Sequence, residues 1–285
     1  PRSRGLGDVY KRQLLGFAMS RYSGCWIGLK IVSDVADSGR TYDTSIENEE
    51  IIVPSGAFLG EYKDLPRNIL FSDTPREQDF RLQRAKGFAA QEFVRANQID
   101  KVIWKNNNAK LGIISAGKSY NDVLEAFRWL GIDEEKAKSM GIALYKVGMP
   151  WPLEPQGIRE FCRGLDTVLV VEEKRELIEH QVKWQLYNWK ENVRPTVIGK
   201  QDENGKWLLP AENDLPMQTI IEVIAERISK FNSDSAVINQ LDWFQKRNKS
   251  QENINAPLNR KPFFCSGCPH NTSLMAVSYT HLRAH

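Results

Sequence analysis

The chain has 285 residues, of which 41% are hydrophobic and 26% charged, the proportions of an ordinary globular protein with room for about two domains. The formal net charge of +3 comes from the chain ends, so the interior is close to neutral and a nucleic-acid-binding surface is not expected. No apolar run approaches the ~20 residues of a membrane span, so no membrane partner is expected either. With only 4 cysteines, a disulfide framework is not expected and a reducing, cytoplasmic location is predicted.

The two ends of the chain have a peculiar relation to each other. Residues 8–13 and 277–282 can be back-translated into strings that are reverse complements over nearly their whole length. Those strings resemble the mosaic end used in transposon-based sequencing libraries. We therefore interpret 1–13 and 277–285 as scar-like segments and exclude them from fold reasoning. The intervening 14–276 is expected to be a piece of a longer reading frame.

The first third of the chain is predicted to contain two helices and two strands. Residues 14–35 are apolar with little charge, which favours a buried helix. Residues 51–53 form a short strand pattern that ends at a proline. After a loop, 74–77 have the pattern of a helix start, with a capping threonine, a proline and an acid in the first turn. A further strand is predicted at 102–104.

The stretch at 111–130 has the pattern of a strand, a tight turn and a helix. Residues 111–114 are mainly apolar, a polar turn of sequence Ser-Ala-Gly-Lys-Ser follows, and apolar residues then recur at helical spacing. This is the opening unit of a parallel α/β sheet. Because a helix start presents free backbone amides, Ser115, Lys118 and Ser119 are predicted to contact an anion, with a plain surface helix start as the alternative.

Two more strand-and-turn units follow. Strands are predicted at 143–147 and 167–171, running into the loop 149–155 and the charged turn 172–175, with a helix at 157–163 between them. In open parallel sheets, ligands lie outside the carboxyl ends of the strands. We therefore predict an α/β fold with a parallel, doubly wound sheet, and a functional site at the edge where the three turns meet.

The rest of the chain is predicted to be mainly helical. The Asn-Gly pair at 204–205 between apolar runs is the strongest short-range signal for a β-hairpin. The expected elements are, in order, a helix at 176–189, a hairpin with strands at 193–198 and 206–209, helices at 217–231 and 234–249, and a polar linker at 250–262.

Residues 112–119 literally match the phosphate-loop pattern of glycine, four residues, then Gly-Lys-Ser. In a true phosphate loop the strand precedes the first glycine, whereas here the intervening residues are largely the strand itself. The run at 168–173, which would supply the second motif, ends in glutamate rather than aspartate. A phosphate-loop nucleotide-binding protein is therefore retained only as an alternative.

The strongest chemical signal is the run Cys-Ser-Gly-Cys-Pro-His at 265–270. Two residues between the cysteines let both thiolates face one metal centre, which fits half of a zinc site, a redox dithiol or two ligands of an iron–sulfur cluster. The preceding linker disfavours the dithiol, which normally opens the helix of a thioredoxin-like unit. Zinc and cluster both need two further ligands, and Cys25 and Cys162 lie in separate apolar segments. Spacing alone does not separate zinc from cluster.

Several stretches resemble the long-form indolepyruvate ferredoxin oxidoreductases, of the thiamine-diphosphate-dependent 2-oxoacid:ferredoxin oxidoreductase superfamily. These are 18–26, 111–120, 144–155, 168–190 and 264–273. The resemblance implies the following order: the end of a domain that binds the thiamine pyrimidine plus a connecting segment at 14–110, a transketolase C-terminal-like α/β domain at 111–232, a helix and linker at 233–262, and the start of the diphosphate-binding domain at 263–276.

The resemblance also implies a function. Cys265 and Cys268 match ligands of a 4Fe-4S cluster, and the parent enzyme is expected to oxidatively decarboxylate an aryl 2-oxoacid such as indole-3-pyruvate to the acyl-CoA. Thiamine diphosphate, magnesium and the cluster are the implied cofactors. Ferredoxin and coenzyme A are the implied partners, and the full-length form is expected to be a homo-oligomer.

The match stops near Leu274, before the residues that would activate thiamine and bind magnesium. No catalytic residue is therefore assigned within the chain, which is expected to be inactive by itself. The alternative from another functional class is a non-catalytic α/β docking module.

Overall fold

The computed structural model describes residues 6–32, 50–252 and 264–273. The chain divides into a first compact unit, residues 1–243, and a second, residues 244–285. The elements in chain order are α1 (Leu6–Ser23), a 3₁₀ helix (Ala57–Tyr62), α2 (Pro75–Arg81), a π-helical segment (Leu82–Lys86), α3 (Gly87–Ala96), β1 (Lys101–Trp104), β2 (Leu111–Ala116), α4 (Gly117–Trp129), α5 (Glu134–Met140), β3 (Ile142–Val147), α6 (Pro155–Cys162), β4 (Thr167–Val171), α7 (Ile178–Leu186), β5 (Thr196–Ile198), α8 (Met217–Ser229), α9 (Ser235–Glu252) and α10 (Pro269–Ser273).

Five strands form one sheet in the order β1-β3-β2-β4-β5. Neighbours from β3 to β5 run parallel, with Leu111 of β2 opposite Ile142 of β3 and Thr167 of β4, while β1 is antiparallel to β3. The predicted strands at 102–104, 111–114, 143–147 and 167–171 are confirmed. β1 joins this sheet although it precedes the predicted 111–232 domain.

Helices cover both faces of the sheet. Alternate residues of the central strands, including Ile114, Tyr145 and Val170, pack in one buried cluster with residues of α6 and α7. The intervening strand residues face the other side, because successive side chains of a strand point in opposite directions. On that side α4 and α5 contact the strands, and α8 packs on α4. The predicted α/β class with a parallel, doubly wound sheet is confirmed.

Local capping explains where several helices start. The Thr74 hydroxyl accepts from the Glu77 amide at 3.3 Å, and the Glu77 carboxylate accepts from the Thr74 amide at 2.8 Å, which completes a capping box before α2. The Asp133 side chain caps α5, and Gly141 ends it in the left-handed region at φ 82°. The helix start predicted at 74–77 is confirmed.

The helices before the sheet form a cluster of their own, here called the helical module (residues 6–32 and 50–96). Its buried side chains come from α1, the 3₁₀ helix and α3, and include Met19, Leu59 and Phe93. The Tyr22 hydroxyl donates to Glu92 at 2.6 Å inside this cluster. Burial and that carboxylate raise the pKa of Tyr22, so the phenol stays protonated.

The helix predicted at 14–35 is wrong in its second half. α1 ends at Ser23, because Gly24 adopts the left-handed region at φ 70° and its amide donates to the Ser20 carbonyl at 2.8 Å. A Cβ at position 24 would lie 2.0 Å from the Arg67 carbonyl oxygen, so only glycine fits there. Residues 24–32 are not helical, and 33–35 lie outside the described residues.

The strand predicted at 51–53 is also wrong. Its backbone bonds to a side chain instead of a second strand: the Ile52 amide donates to Asn97 Oδ1 at 2.9 Å, and Asn97 Nδ2 donates to the Ile52 carbonyl at 2.8 Å. Both of the polar groups that a ladder would use are satisfied by one side-chain amide. Residues 51–53 therefore satisfy these backbone groups without pairing with a β-strand.

The hairpin predicted around Asn204-Gly205 has the right turn and the wrong strands. Gly205 is left-handed at φ 79°, and Asp202 Oδ1 accepts from the amides of Asn204 and Lys206 at 2.9 Å each. Only a single antiparallel bridge, Gln201 to Trp207, follows. The upstream run instead enters the main sheet as β5, parallel to β4.

The later helices agree with their predicted positions, although α7 is shorter than the 176–189 expected. Within the described ranges, no helix combines the length and the apolar character that crossing a membrane requires.

Candidate functional site

The carboxyl ends of β2, β3 and β4 lie at one edge of the sheet, as predicted, because these strands are parallel. The chain passes from β2 outward to β3, then returns across β2 to β4 and continues to β5. The direction of winding therefore reverses between β2 and β4. In open α/β sheets such a topological switch point leaves a crevice outside the carboxyl ends, where ligands bind.

The three residues predicted to contact an anion all lie at this switch point. Ser115 is fully buried at the end of β2, and its hydroxyl donates to the Val171 carbonyl of β4 at 2.7 Å. Ser119 is buried in the first turn of α4. The Lys118 ammonium lies 3.0 Å from Asp122 and 3.6 Å from Glu173. Ser115 thus ties β2 to β4, while Lys118 ties the helix start to the loop after β4.

The start of α4 carries no side-chain cap. Ala116 at the cap position is extended, and Gly117 follows at φ 55°. The first-turn amides of a helix have no intrahelical partners, so they can bind an oxyanion. An anion bound here would compete with the carboxylates of Asp122 and Glu173 for the Lys118 ammonium. The anion contact of Ser115, Lys118 and Ser119 remains a prediction.

The phosphate-loop alternative does not fit this geometry. Gly112, the first glycine of the matching pattern, lies inside β2, where it is buried and pairs with Ala143 and Val168. The residues that would wrap a phosphate are therefore the strand itself, and no loop is left to form the cradle.

A buried polar network behind the switch point was not found from the sequence. The Glu172 carboxylate accepts from the amides of Ile178 and Glu179, each at 2.9 Å, and so caps α7. The Lys200 ammonium, 3% exposed as a residue, donates to the Glu172 carbonyl at 2.5 Å and to the Pro210 carbonyl at 2.9 Å. Burial raises the pKa of Glu172 and lowers the pKa of Lys200. The network holds the 172–178 loop, which carries Glu173 to Lys118.

A second network holds the loop after β3. Asp100 Oδ1 accepts from the amides of Gly148 and Met149 at 2.7 and 3.0 Å. Burial raises the pKa of Asp100 from 3.8 to about 6, against the opposing effect of these two hydrogen bonds. Glu154 caps α6 through the amides of Gln156 and Gly157 at 2.9 and 2.7 Å. The only sequence signal for the latter is an acid placed before Pro155 at the helix start.

The cysteine motif lies in the second compact unit and forms a tight turn. The Cys268 amide donates to the Cys265 carbonyl at 3.0 Å, with Gly267 left-handed at φ 81° as the third residue of the turn. The Asn271 side chain donates to the same Cys265 carbonyl at 2.9 Å, and α10 follows at once. Cys265 is exposed and Cys268 half-buried, and both are free thiols.

This turn fits part of a metal or cluster site. The two free thiols of this turn can supply two of the four thiolate ligands that an iron–sulfur cluster needs. Within the described ranges, no group of three or more His, Cys, Asp and Glu side chains is arranged to hold a metal ion. His270 Nδ1 lies 3.2 Å from Cys268 Sγ and stacks on Phe264 with centroids 5.0 Å apart. The other ligands of a four-ligand centre would have to come from residues outside this turn.

The other two cysteines do not share this environment. Cys162 is fully buried in the core between the sheet and α6, and burial raises the pKa of its thiol to about 12. Cys25 is half-buried after α1. Cys162 is therefore a packing residue and not an available thiolate.

Comparison with known proteins identifies the family. Residues 101–251 match the family model described as the indolepyruvate oxidoreductase domain. The chain is 35% identical over 172 residues to indolepyruvate oxidoreductase subunit IorA of Pyrococcus horikoshii, covering 60% of this chain and 23% of the relative. It is 36% identical over 171 residues to the same subunit of Pyrococcus abyssi, covering 60% of this chain and 23% of the relative. The match thus spans about a quarter of these relatives' length.

A solved 2-oxoglutarate:ferredoxin oxidoreductase from Magnetococcus marinus superposes with a TM-score of 0.37 and 15% identity, covering 57% of this chain and 25% of that chain. A superposition this distant adds nothing to the family assignment. The family model covers more than half of the chain, including the whole sheet and the switch point. The chain belongs to the indolepyruvate oxidoreductase domain family.

Proposed function

We propose that this chain is part of an oxidoreductase that oxidatively decarboxylates an aryl 2-oxoacid, indole-3-pyruvate, to the acyl-CoA with ferredoxin as electron acceptor. The observation that carries the proposal is the family match over 101–251. Thiamine diphosphate with magnesium supplies the carbanion chemistry of such an enzyme when bound, and a 4Fe-4S cluster supplies single-electron transfer. The chain alone is expected to be inactive, and the full-length protein to be a cytoplasmic homo-oligomer.

Within this proposal Cys265 and Cys268 hold the cluster as two of its thiolate ligands. The turn at Gly267 presents both cysteines from one short segment, with Cys265 exposed and Cys268 half-buried. Family resemblance selects iron over zinc, since the same spacing serves both metals.

The switch point is proposed to contact an anionic group, either a phosphate of coenzyme A or a carboxylate of a neighbouring domain. The uncapped start of α4 supplies backbone amides, and Lys118 supplies a positive charge that lies 3.0 Å from Asp122 and 3.6 Å from Glu173. Ser115 ties β2 to β4 beside the crevice, and Ser119 lies buried in the first turn of α4.

The proposal is tested by changing Cys265→Ser in the full-length protein purified without air. We expect the brown chromophore, the acid-labile sulfide and the electron transfer to ferredoxin to be lost, because a hydroxyl is a poor cluster ligand. Cys25→Ser is the matched control, since that thiol is half-buried in another segment and should leave iron content unchanged.

The outcomes separate the competing functions. A colourless, zinc-loaded wild-type protein would contradict the oxidoreductase, as would full ferredoxin reduction by Cys265→Ser. Retained oligomer assembly without any cofactor would instead favour the non-catalytic docking module.

A further inference from the structure

The histidine that follows the cysteine pair contacts one of the two sulfurs. His270 Nδ1 lies 3.2 Å from Cys268 Sγ, which is within hydrogen-bond distance for a sulfur atom. The contact forms locally, because His270 is the second residue after Cys268 and lies in the first turn of α10. The proposed function gives Cys268 a ligand role and assigns nothing to His270. The motif therefore places an imidazole beside a predicted cluster ligand.

Neighbouring contacts hold the imidazole in this place. Its ring stacks on Phe264, with centroids 5.0 Å apart and 19° between the two planes. The Asn271 amide donates to the Cys268 carbonyl at 3.0 Å, and the Asn271 side chain donates to the Cys265 carbonyl at 2.9 Å. The residue after His270 is thus bonded to both cysteines, and the ring contacts the residue before them. A side chain restrained from both directions loses less conformational freedom when it bonds to a neighbour.

The direction of the hydrogen bond follows from the state of the cysteine. A thiol can donate to a neutral imidazole nitrogen, whereas a thiolate that binds a metal has no proton and can only accept. When Cys268 acts as a ligand, His270 Nδ1 must therefore carry the hydrogen. Residues 264–273 contain no acidic side chain, so no carboxylate of this segment competes with the sulfur for that N–H.

A role for His270 as a metal ligand fits the geometry less well. Zinc lies about 2.3 Å from sulfur and about 2.0 Å from an imidazole nitrogen, so two ligands of one tetrahedral site are about 3.5 Å apart. The distance of 3.2 Å between His270 Nδ1 and Cys268 Sγ is shorter, which suits two atoms joined by a hydrogen bond. Four thiolates also complete a 4Fe-4S site without an imidazole.

We propose that His270 is a positioning residue of the cluster site, whose Nδ1–H donates to the Cys268 sulfur and stabilises the reduced cluster. This role rests on the proposed function, because it requires Cys268 to bind a cluster. An electron that enters a cluster adds negative charge, which the cysteine sulfurs share, and an N–H donor at one sulfur stabilises that charge. The oxidised cluster carries less negative charge and gains less from the same donor. His270 therefore raises the reduction potential.

The step that His270 influences is a one-electron reduction. Each electron comes from the 2-oxoacid that is oxidised and leaves to ferredoxin, so the cluster returns to its oxidised state after each transfer. No bond to Cys268 or His270 forms or breaks, and no proton moves between them. The histidine changes only the equilibrium between the oxidised and the reduced cluster.

The test is a redox titration of the full-length protein purified without air, followed by the electron paramagnetic resonance signal of the reduced cluster. The signal that Cys265→Ser loses identifies this cluster. His270→Phe keeps a flat ring that can stack on Phe264 and removes the N–H donor. We expect iron and sulfide content to remain at the wild-type level, and the equilibrium constant for reduction to fall at least threefold, about 28 mV for a one-electron couple.

A rescue variant and a control separate the hydrogen bond from the stacked ring. His270→Asn removes the ring but offers a side-chain N–H close to the position of Nδ1, so its reduction equilibrium should stay within threefold of wild type. His180→Phe makes the same replacement at an exposed histidine of α7 and should leave the potential unchanged.

The outcomes distinguish a failure of this role from a failure of the proposed function. A wild-type protein without an iron–sulfur cluster contradicts both. An intact cluster with an unchanged potential in His270→Phe overturns the role of His270 alone, as does an equal fall of the potential in His270→Asn. Loss of iron from both variants also overturns it, because the histidine would then be a ligand. If only His270→Phe loses iron, His270→Leu, which has the shape of asparagine without its donor, must show the lower potential.

Discussion

Asp100 is a carboxylate whose surroundings disfavour its own charge. One oxygen accepts two backbone amides at the end of β3, whereas Oδ2 is buried without a hydrogen-bond partner among the described residues. Burial is the largest cause of its raised pKa, and the nearby Glu154 carboxylate adds to it. Since the folded pKa of about 6 lies above the ordinary 3.8, the contribution of this group to stability is full below pH 4 and is lost as the pH rises through 6.

Asp100→Asn should therefore stabilise the protein at pH 8. The amide keeps an oxygen for the two backbone donors and carries no buried charge, while its NH2 group, like the acid O–H that it replaces, lacks a partner among the described residues at the Oδ2 position. A change in pKa of this size corresponds to roughly 2 to 3 kcal/mol in the free energy of unfolding, and the advantage should vanish near pH 4. Urea unfolding of both proteins at several pH values measures it.

Asp166→Asn is the control for this pH dependence. Asp166 is 64% exposed and pairs with Lys110 at 3.2 Å, so its replacement should change the free energy of unfolding by less than about 1 kcal/mol. A pH-independent difference between wild type and Asp100→Asn would show that the carboxyl is not strained by burial.

At the scale of elements, the packing of β2 against α6 depends on the absence of one side chain. A Cβ at Gly112 would lie 2.4 Å from Leu165 Cδ1 and 3.0 Å from Phe161 Cε1. The strand centre and the end of α6 approach closely for this reason. Gly112 thus has a packing role, which explains the glycine at this position without a phosphate-binding loop.

Gly112→Ala is expected to destabilise the protein by about 2 kcal/mol, because the core must move to accept a methyl group. Thermal and urea unfolding measure the loss. Gly16→Ala is the matched control: its Cβ would meet only Ile27 Cγ2 at 3.6 Å, an ordinary contact, and alanine favours helix α1. Equal stability of the two variants would mean that β2 and α6 are less tightly packed than described.

At the scale of the whole first unit, polar contacts join the helical module to the sheet. Arg95 of α3 forms an ion pair with the buried Glu154, and its guanidinium lies 4.5 Å from the centroid of Phe58. The Gln91 side chain donates to the Leu153 carbonyl at 2.9 Å. Through these bonds the loop after β3 contacts the helical module as well as the sheet.

Arg95→Met should lower the free energy of unfolding by about 3 kcal/mol, because it leaves the Glu154 charge buried without its cation. Hydrogen exchange should show a larger loss of protection in α3 than in β2, as the module loosens from the sheet. Arg128→Met, which removes an exposed pair with Glu125 at 3.0 Å, should do neither. A uniform loss of protection across α3 and β2 would contradict a local joining role.

The sequence by itself determined the central strands of the sheet, the helix start at 74–77 and the spacing of the cysteine motif. Residues 111–114 and 167–171 are predictable because a buried parallel strand is a short apolar run, and 74–77 because capping is a local interaction. The turns after β2, β3 and β4 lie at one edge of the sheet because the carboxyl ends of parallel strands point to the same edge.

Only the tertiary structure decided what depends on contacts between distant residues. The Asn97 side chain binds the Ile52 backbone in place of a neighbouring strand. β5 pairs with β4 in the main sheet and not with a second strand of the predicted hairpin. The local sequence favours a β-ladder in both cases. The hydrogen bond from the Lys200 ammonium to the Glu172 carbonyl joins residues 28 apart along the chain, so it exists only in the packed molecule. Burial and charge pairing at such points follow from the packed chain, since no local pattern encodes the neighbours of a side chain.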